Sequence, residues 1–153
     1  MVISYKAAQK QPEKVTDQAI LAKDFMTKKL ITFSPEQPLN EIIQVLIKKN
    51  ISGGPVVDKG GKLIGVISEG DCLKQVVRGK YNNSPEIMGL VKDYMTSDPV
   101  TVGPNENIFE IARLFLKLRL RRFPVLNNGK LVGQISQRDV MAAIQDLKNE
   151  TWH

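Results

Sequence analysis

Two short stretches hold residue types that could do chemistry together. Ser68 and Asp71 stand three positions apart at the end of the apolar run Gly65-Val66-Ile67, and Ser136 and Asp139 repeat that spacing after Gly133-Gln134-Ile135. Apolar residues at helical period follow at once: Cys72, Leu73, Val76 and Val77 in the first stretch, Val140, Met141, Ala143 and Ile144 in the second. A strand therefore turns into a helix at each serine. Unpaired backbone N–H groups and the positive end of the helix dipole meet at such a point, which suits an anion such as a phosphate. A carboxylate beside it can accept from both hydroxyls of a ribose, a charge-assisted bond contributing roughly 1.5–3 kcal/mol. The same Ser-x-x-Asp spacing is also a variant of the capping box, in which the side chains satisfy only the helix's own N–H groups. The spacing alone fits either role.

The elements that must position these residues are duplicated with them. Lys23-Asp24-Phe25-Met26-Thr27 matches Lys92-Asp93-Tyr94-Met95-Thr96, Ile31-Thr32-Phe33 matches Val100-Thr101-Val102, and Pro35, Leu39, Ile42 and Pro55 match Pro104, Ile108, Ile111 and Pro124. The register holds up to the second pair of prolines and then shortens by one residue, in the turns Asp58-Lys59-Gly60-Gly61-Lys62 and Asn127-Asn128-Gly129-Lys130. Turn length is where a repeat varies at little cost. Each copy predicts a short strand (Leu30 to Phe33; Val100 to Val102), a Pro-marked turn and a helix (Leu39, Ile42, Ile43, Leu46; Ile108, Ile111, Ala112, Phe115). A hairpin follows (Pro55 to Asp58 with Leu63 to Ser68; Pro124 to Asn127 with Leu131 to Ser136), then the second helix, giving β-α-β-β-α. The fold class is α/β (α+β). A unit of about 60 residues buries little surface, so two units sharing one core are the expected folding domain. The boundaries read as an N-terminal extension 1–21, repeat one 22–78, a linker 79–90, repeat two 91–147 and a C-terminal tail 148–153.

The order Met-Thr, Thr-x-x-Pro, the Pro-Val/Leu hairpin and Gly-x-Ile-Ser-x-x-Asp, twice in one chain, resembles the cystathionine-β-synthase-type (CBS) domain over about residues 22–147. The resemblance implies a pseudo-two-fold pair, a Bateman module, whose two clefts between the repeats bind an adenine nucleotide or adenosyl ligand such as AMP, ADP, ATP or S-adenosylmethionine. It implies a non-catalytic, energy-sensing regulator that needs no cofactor and passes the ligand's presence to a regulated protein partner. It further implies that the segment before the Pro-Val/Leu strand of one repeat lines the cleft whose Asp belongs to the other. On that pattern Arg121, Arg122 and Phe123 face the cleft of Asp71, while Ser52, Gly53 and Gly54 face the cleft of Asp139, where Arg138 stands beside the carboxylate. Glu69 would oppose an anion in the Asp71 cleft. Ile31, Thr32, Val100 and Thr101 are candidates for the base slot, with a purely structural strand role equally compatible.

Composition narrows the alternatives. With 153 residues and 42% hydrophobic content the chain has apolar material for one core, and no apolar run approaches the length of a membrane span. No signal pattern opens the chain, so the expected location is cytoplasmic. One cysteine, Cys72, excludes an internal disulfide framework and falls on an apolar helix face. His153, the one histidine, has no Cys or second His near it, so no metal site is expected. No Ser/His or Cys/His pair in plausible register, zinc ligand set, P-loop or G-x-G-x-x-G stretch is present, which argues against an enzyme. The net charge of +6 and pI near 9.5 raise a nucleic-acid role, but the lysines are scattered without interleaved aromatics. The dense cluster Lys117, Arg119, Arg121 and Arg122 also fits cations at a helix C-terminus. A protein-interaction scaffold with vestigial clefts is a further alternative. Ile43, Ile47, Phe109 and Leu116 widen the apolar stripes of the first helices and predict a homodimer. The polar residues 1–15, a helical turn or two from Thr16 to Ala22, a loop through Gly79, Asn82, Asn83, Ser84 and Pro85, and the tail Trp152-His153 complete the reading.

Overall fold

Helices form where apolar residues recur at three- and four-residue steps. In α2 (Leu39–Lys49) that spacing buries Leu39, Ile42 and Leu46 on one face, and in α5 (Ile108–Leu118) it buries Ile108, Ile111, Leu114 and Phe115. Asn107 caps α5, its side chain accepting from Phe109 N–H at 2.7 Å. Each helix stops at a left-handed residue, Asn50 (φ 54°) and Arg119 (φ 58°), at matching places in the two copies. The computed structural model describes residues 3–4, 20–81 and 89–151. Apart from residues 3–4, the expectations for residues 1–15 lie outside them, as do those for positions 16–19, the turn Asn82 to Pro85 and the tail Trp152-His153.

The chain divides into two compact units, residues 31–99 and residues 1–30 with 100–153. In the first, β2 (Gly53–Val57) and β3 (Leu63–Ser68) pair antiparallel, with Gly53 opposite Ser68. Phe33 adds a parallel bridge to β2, its N–H donating to Pro55 O at 2.9 Å and its carbonyl accepting from Val57 N–H at 2.8 Å. The helix α3 (Glu69–Tyr81) follows β3 without a loop. Phe33, Leu39, Ile42, Leu46, Val56, Ile67, Cys72 and Val91 form the core. In the second unit β6 (Arg122–Asn127) and β7 (Lys130–Ser136) make the matching hairpin, α6 (Gln137–Thr151) the matching helix, and Val102 the matching bridge to Val125. The core of that unit centres on Ile108, Ile111, Phe115, Phe123, Val125, Ile135 and Ala143. The short strand β5 (Val100–Thr101) pairs parallel with β1 (Ile3–Ser4).

Each unit is completed by the head of the other sequence repeat. In the first unit α4 (Val91–Tyr94) buries Val91 completely, and Val91 N–H donates to Gln37 O at 2.9 Å. The strand β4 (Thr96–Ser97) then pairs with β3 at Val66 and Gly65. A Cβ on Gly65 would lie 2.7 Å from Met95 Sδ and 2.8 Å from Thr96 O, so the glycine is required by that close approach. The second unit repeats the device with α1 (Ala22–Phe25): Thr27 exchanges backbone hydrogen bonds with Gln134, and a Cβ on Gly133 would lie 2.6 Å from Met26 Sδ. Ala22 and Val91 are both fully buried.

Two local expectations are corrected. Leu30 to Phe33 forms no strand of its own, only the bridge at Phe33. Gly79, expected to mark a loop, is a buried residue inside α3, which continues to Tyr81. Glycine lowers helix propensity by roughly 1 kcal/mol, less than packing against a core supplies.

A fragment of residues 1–84 keeps the first hairpin but loses Val91, Met95 and β4. It should aggregate or melt without a cooperative transition, whereas residues 31–99 should melt more sharply and at a higher temperature. Circular dichroism melts of the two fragments check this, and a sharp transition in residues 1–84 would contradict it.

Candidate functional site

The two Ser-Asp pairs fold into nearly the same hydrogen-bonded cap. Ser68 ends β3 and Asp71 lies in the first turn of α3. The Ser68 N–H donates to Asp71 Oδ2 at 2.9 Å, the Ser68 hydroxyl donates to the same oxygen at 3.0 Å, and Asp71 N–H donates back to Ser68 Oγ at 3.4 Å. In the second pair Ser136 N–H donates to Asp139 Oδ2 at 2.8 Å and Asp139 N–H to Ser136 Oγ at 3.1 Å. In each cap every bond that reaches the carboxylate ends on one oxygen, Oδ2. The other oxygen has no part in the cap, and the carboxylate is held in a fixed orientation. Such an acceptor loses little freedom on meeting a ligand.

The hairpins decide which residues flank each cap. Gly53 pairs with Ser68, and Glu69 N–H donates to Ser52 O at 3.0 Å. Arg122 pairs with Ser136, Gln137 N–H donates to Arg121 O at 3.0 Å, and the Gln137 side chain donates to Leu120 O at 2.8 Å. Within its own unit, then, each serine is bordered by the residues that match in the duplication: Ser52 and Gly53 on one side, Arg121 and Arg122 on the other. Arg121 and Arg138 are exposed and Arg122 half-buried.

Other residues singled out from sequence are packing residues. Phe123 is fully buried and stacks on Phe115 with ring centroids 4.3 Å apart. Its side chain presents no surface to a ligand, which corrects its assignment to a cleft. The matching position in the other unit is Gly54, where a Cβ would lie 2.9 Å from Ile31 O and 3.1 Å from Phe33 Cε2. The Phe33 ring therefore occupies space there, and Val102 is the residue matching Phe33. At this pair of matching positions the ring comes from the bridge residue Phe33 in one unit and from Phe123 of β6 in the other, so Gly54 and Phe123 are explained by volume. Thr101 is 1% exposed, which also removes its side chain from a base slot, whereas Thr32 is exposed.

Gln75 escaped the sequence reading. It is 5% exposed, one helical turn beyond Asp71 on α3, and its Oε1 has no hydrogen-bond partner. Its signal was a polar residue in step with Cys72 and Asp71, at the place where the other copy has Ala143. Burial pushes the neighbouring Cys72 thiol up from its ordinary value, and the carboxylates of Asp71 and Glu69 push it the same way. Among the described residues no group of three or more His, Cys, Asp or Glu side chains could hold a metal, and no helix is long and apolar enough to cross a membrane.

A strand-to-helix cap repeated with its flanking hairpin defines a duplicated β-α-β-β-α module. The family model for the CBS domain matches residues 22–78 and 91–146, and the chain belongs to that family. The chain is 29% identical over 117 residues to protein MJ1225 of Methanocaldococcus jannaschii, covering 76% of this chain and 40% of that one. It is similar to CBSX2, a chloroplastic CBS domain-containing protein of Arabidopsis thaliana, and spans 65% of that relative's length. The crystal structure of CBSX2 in complex with AMP superposes with a TM-score of 0.74 at 30% identity, covering 84% of this chain and 98% of that one. The CBS domain pair of protein MJ0100, in complex with 5′-methylthioadenosine and S-adenosyl-L-methionine, gives a TM-score of 0.71 at 25% identity, covering 85% and 99%.

The Cys72 thiol reports on the first cap. Because its proton is held more tightly than usual, it should react slowly with iodoacetamide at neutral pH. Asp71→Asn removes one of the two carboxylates that raise it, so the thiol should titrate lower and alkylate faster. Equal labelling rates for Asp71→Asn and wild type across pH 7 to about 9 would show that Asp71 does not act on the sulfur.

Proposed function

We propose that the chain is a non-catalytic regulatory module that binds an adenine nucleotide or adenosyl ligand, with Asp71 and Asp139 each holding a ribose through the carboxylate oxygen left outside its cap. The observation that carries this reading is the presence of two pre-oriented Ser-Asp caps in a family whose members CBSX2 and MJ0100 are seen with AMP and with methylthioadenosine and S-adenosylmethionine. Ser68 and Ser136 stand at the helix mouths, where phosphate is favoured, and Arg121 and Arg122 supply cations that can bind phosphate oxygens bidentately. Ser52, Gly53 and Thr32 contribute backbone and polar edges at the same sites. Regulation then consists of a shift in conformation or assembly that a bound ligand favours and a protein partner reads.

A second reading is favoured by the same hydrogen bonds: the caps serve only the helices, and the chain is an interaction scaffold. Asn separates the two, since its side-chain oxygen can still accept the serine N–H from the third helical position but carries no charge. Asp71→Asn and Asp139→Asn should each weaken AMP or S-adenosylmethionine binding at its site by about 10- to 100-fold, while unliganded stability changes by less than about 1 kcal/mol. Calorimetric titrations and melts of the two variants check both halves. Unchanged affinity with a lowered melting temperature would leave the caps purely structural.

We also propose a homodimer. Ile47 and Leu116 are 75% and 78% exposed at matching positions of α2 and α5, Phe109 is exposed, and Ile43 is half-buried. Such side chains in water favour association. Sedimentation should show twice 17.1 kDa, and Ile47→Lys with Leu116→Lys should shift it to monomer. A wild-type monomer at micromolar concentration would refute the proposal.

A further inference from the structure

The two caps differ in charge in a way that the helices themselves do not require. The first turn of α3 carries Glu69 and Asp71, and that of α6 carries Gln137, Arg138 and Asp139. A carboxylate near a helix N-terminus has the sign that the helix dipole favours, whereas a cation there has the opposite sign. Glu69 therefore has a structural reason for its place. Arg138 has none: it is exposed, and among the described residues no hydrogen bond or ion pair engages its guanidinium. Two neighbouring features point the same way. Beside the second cap the hairpin brings the backbone of Arg121 and Arg122, where the first has the uncharged Ser52 and Gly53. The Ser136 hydroxyl accepts within its cap without donating to Asp139, so its proton is available to a phosphate oxygen, while the Ser68 hydroxyl spends its proton on Asp71.

On the α3 side the charged groups and the one unpartnered buried side-chain atom are acceptors. Glu69 and Asp71 are anionic, and Gln75, on the same helical face as Asp71 and nearly wholly buried, holds an Oε1 that no donor meets. Ala143 takes that place in α6 and is equally buried, and the orphaned amide oxygen of that unit, Gln134 Oε1, sits on β7 instead of on the helix. An amide oxygen buried without a donor is costly and is relieved by a ligand that brings an N–H or O–H.

Resting on the ribose role given above to Asp71 and Asp139, we infer that the two motifs divide adenosyl ligands by charge: Asp139 and Arg138 take a 5′-phosphate ester, whereas Glu69, Asp71 and Gln75 take a ligand without phosphate, neutral or cationic at the 5′ position. Ligands of both kinds are known in the family's folds, AMP with CBSX2 and methylthioadenosine with S-adenosylmethionine in MJ0100.

The test isolates each motif by disabling the other in the full chain. Asp71→Asn leaves the α6 motif and should bind AMP about 10-fold or more tightly than adenosine. Asp139→Asn leaves the α3 motif and should prefer adenosine and S-adenosylmethionine to AMP by a similar factor. Arg138→Gln, at an exposed position, should abolish the AMP preference of the first variant, and Glu69→Gln should narrow the discrimination in the second. The same ligand ranking in both variants overturns the division while leaving the ribose reading intact, as does an AMP preference at the Asp71 motif that Arg121→Ala removes. Failure of wild-type protein to bind any of the three ligands overturns the ribose reading and the division with it.

Discussion

The carboxylate of an aspartate, bound at one oxygen by the N–H of the serine three residues before it, is the interaction on which both ends of the account depend. It allows β3 to become α3 and β7 to become α6 with no connecting loop, because the first N–H groups of the helix and the last of the strand find partners at once. That economy fixes the serine, the aspartate and the helix axis together. A cap of this kind contributes about 0.5–2 kcal/mol to folding, and a ribose on the free oxygen about 1.5–3 kcal/mol to binding. The two are comparable, so one residue can serve both without either use dominating the other.

Around the caps, the packing follows from small residues facing large ones. Gly65 and Gly133 receive Met95 and Met26, and Gly54 leaves room for Phe33 where Phe123 fills the other unit from its own strand. Because the segments carrying Met26 and Met95 belong to the heads of the sequence repeats but complete the opposite compact units, a cut between the repeats removes part of a core. The duplication that is plain in sequence and the unit that packs in space are different divisions of the same chain.

Much of this was legible beforehand. The helices α2 and α5, both hairpins and both caps follow from periodicity and from the constant register between the copies. The Ser-Asp pairs were found because they repeat. What was missed has physical causes. The strand β4 is two residues long and pairs with β3 some thirty positions away, so no local pattern announces it. Gly79 carries a loop signal that tertiary contact overrode within α3. Phe123 and Thr101 lie next to residues with functional signals, and adjacency in sequence places alternate strand residues on opposite faces. Gln75 would have been found by asking why a polar residue stands at an apolar step of α3.

The most direct measurement of the central claim changes the ligand and leaves the protein intact. Adenosine and 2′,3′-dideoxyadenosine differ only in the two hydroxyls that a carboxylate would accept. If Asp71 and Asp139 hold ribose, calorimetry should show the dideoxy compound binding the wild-type chain about 10- to 100-fold more weakly, and the gap should close in the variant carrying both Asp71→Asn and Asp139→Asn. Equal affinity of the two compounds for the wild-type chain would contradict the account, whatever else the caps do.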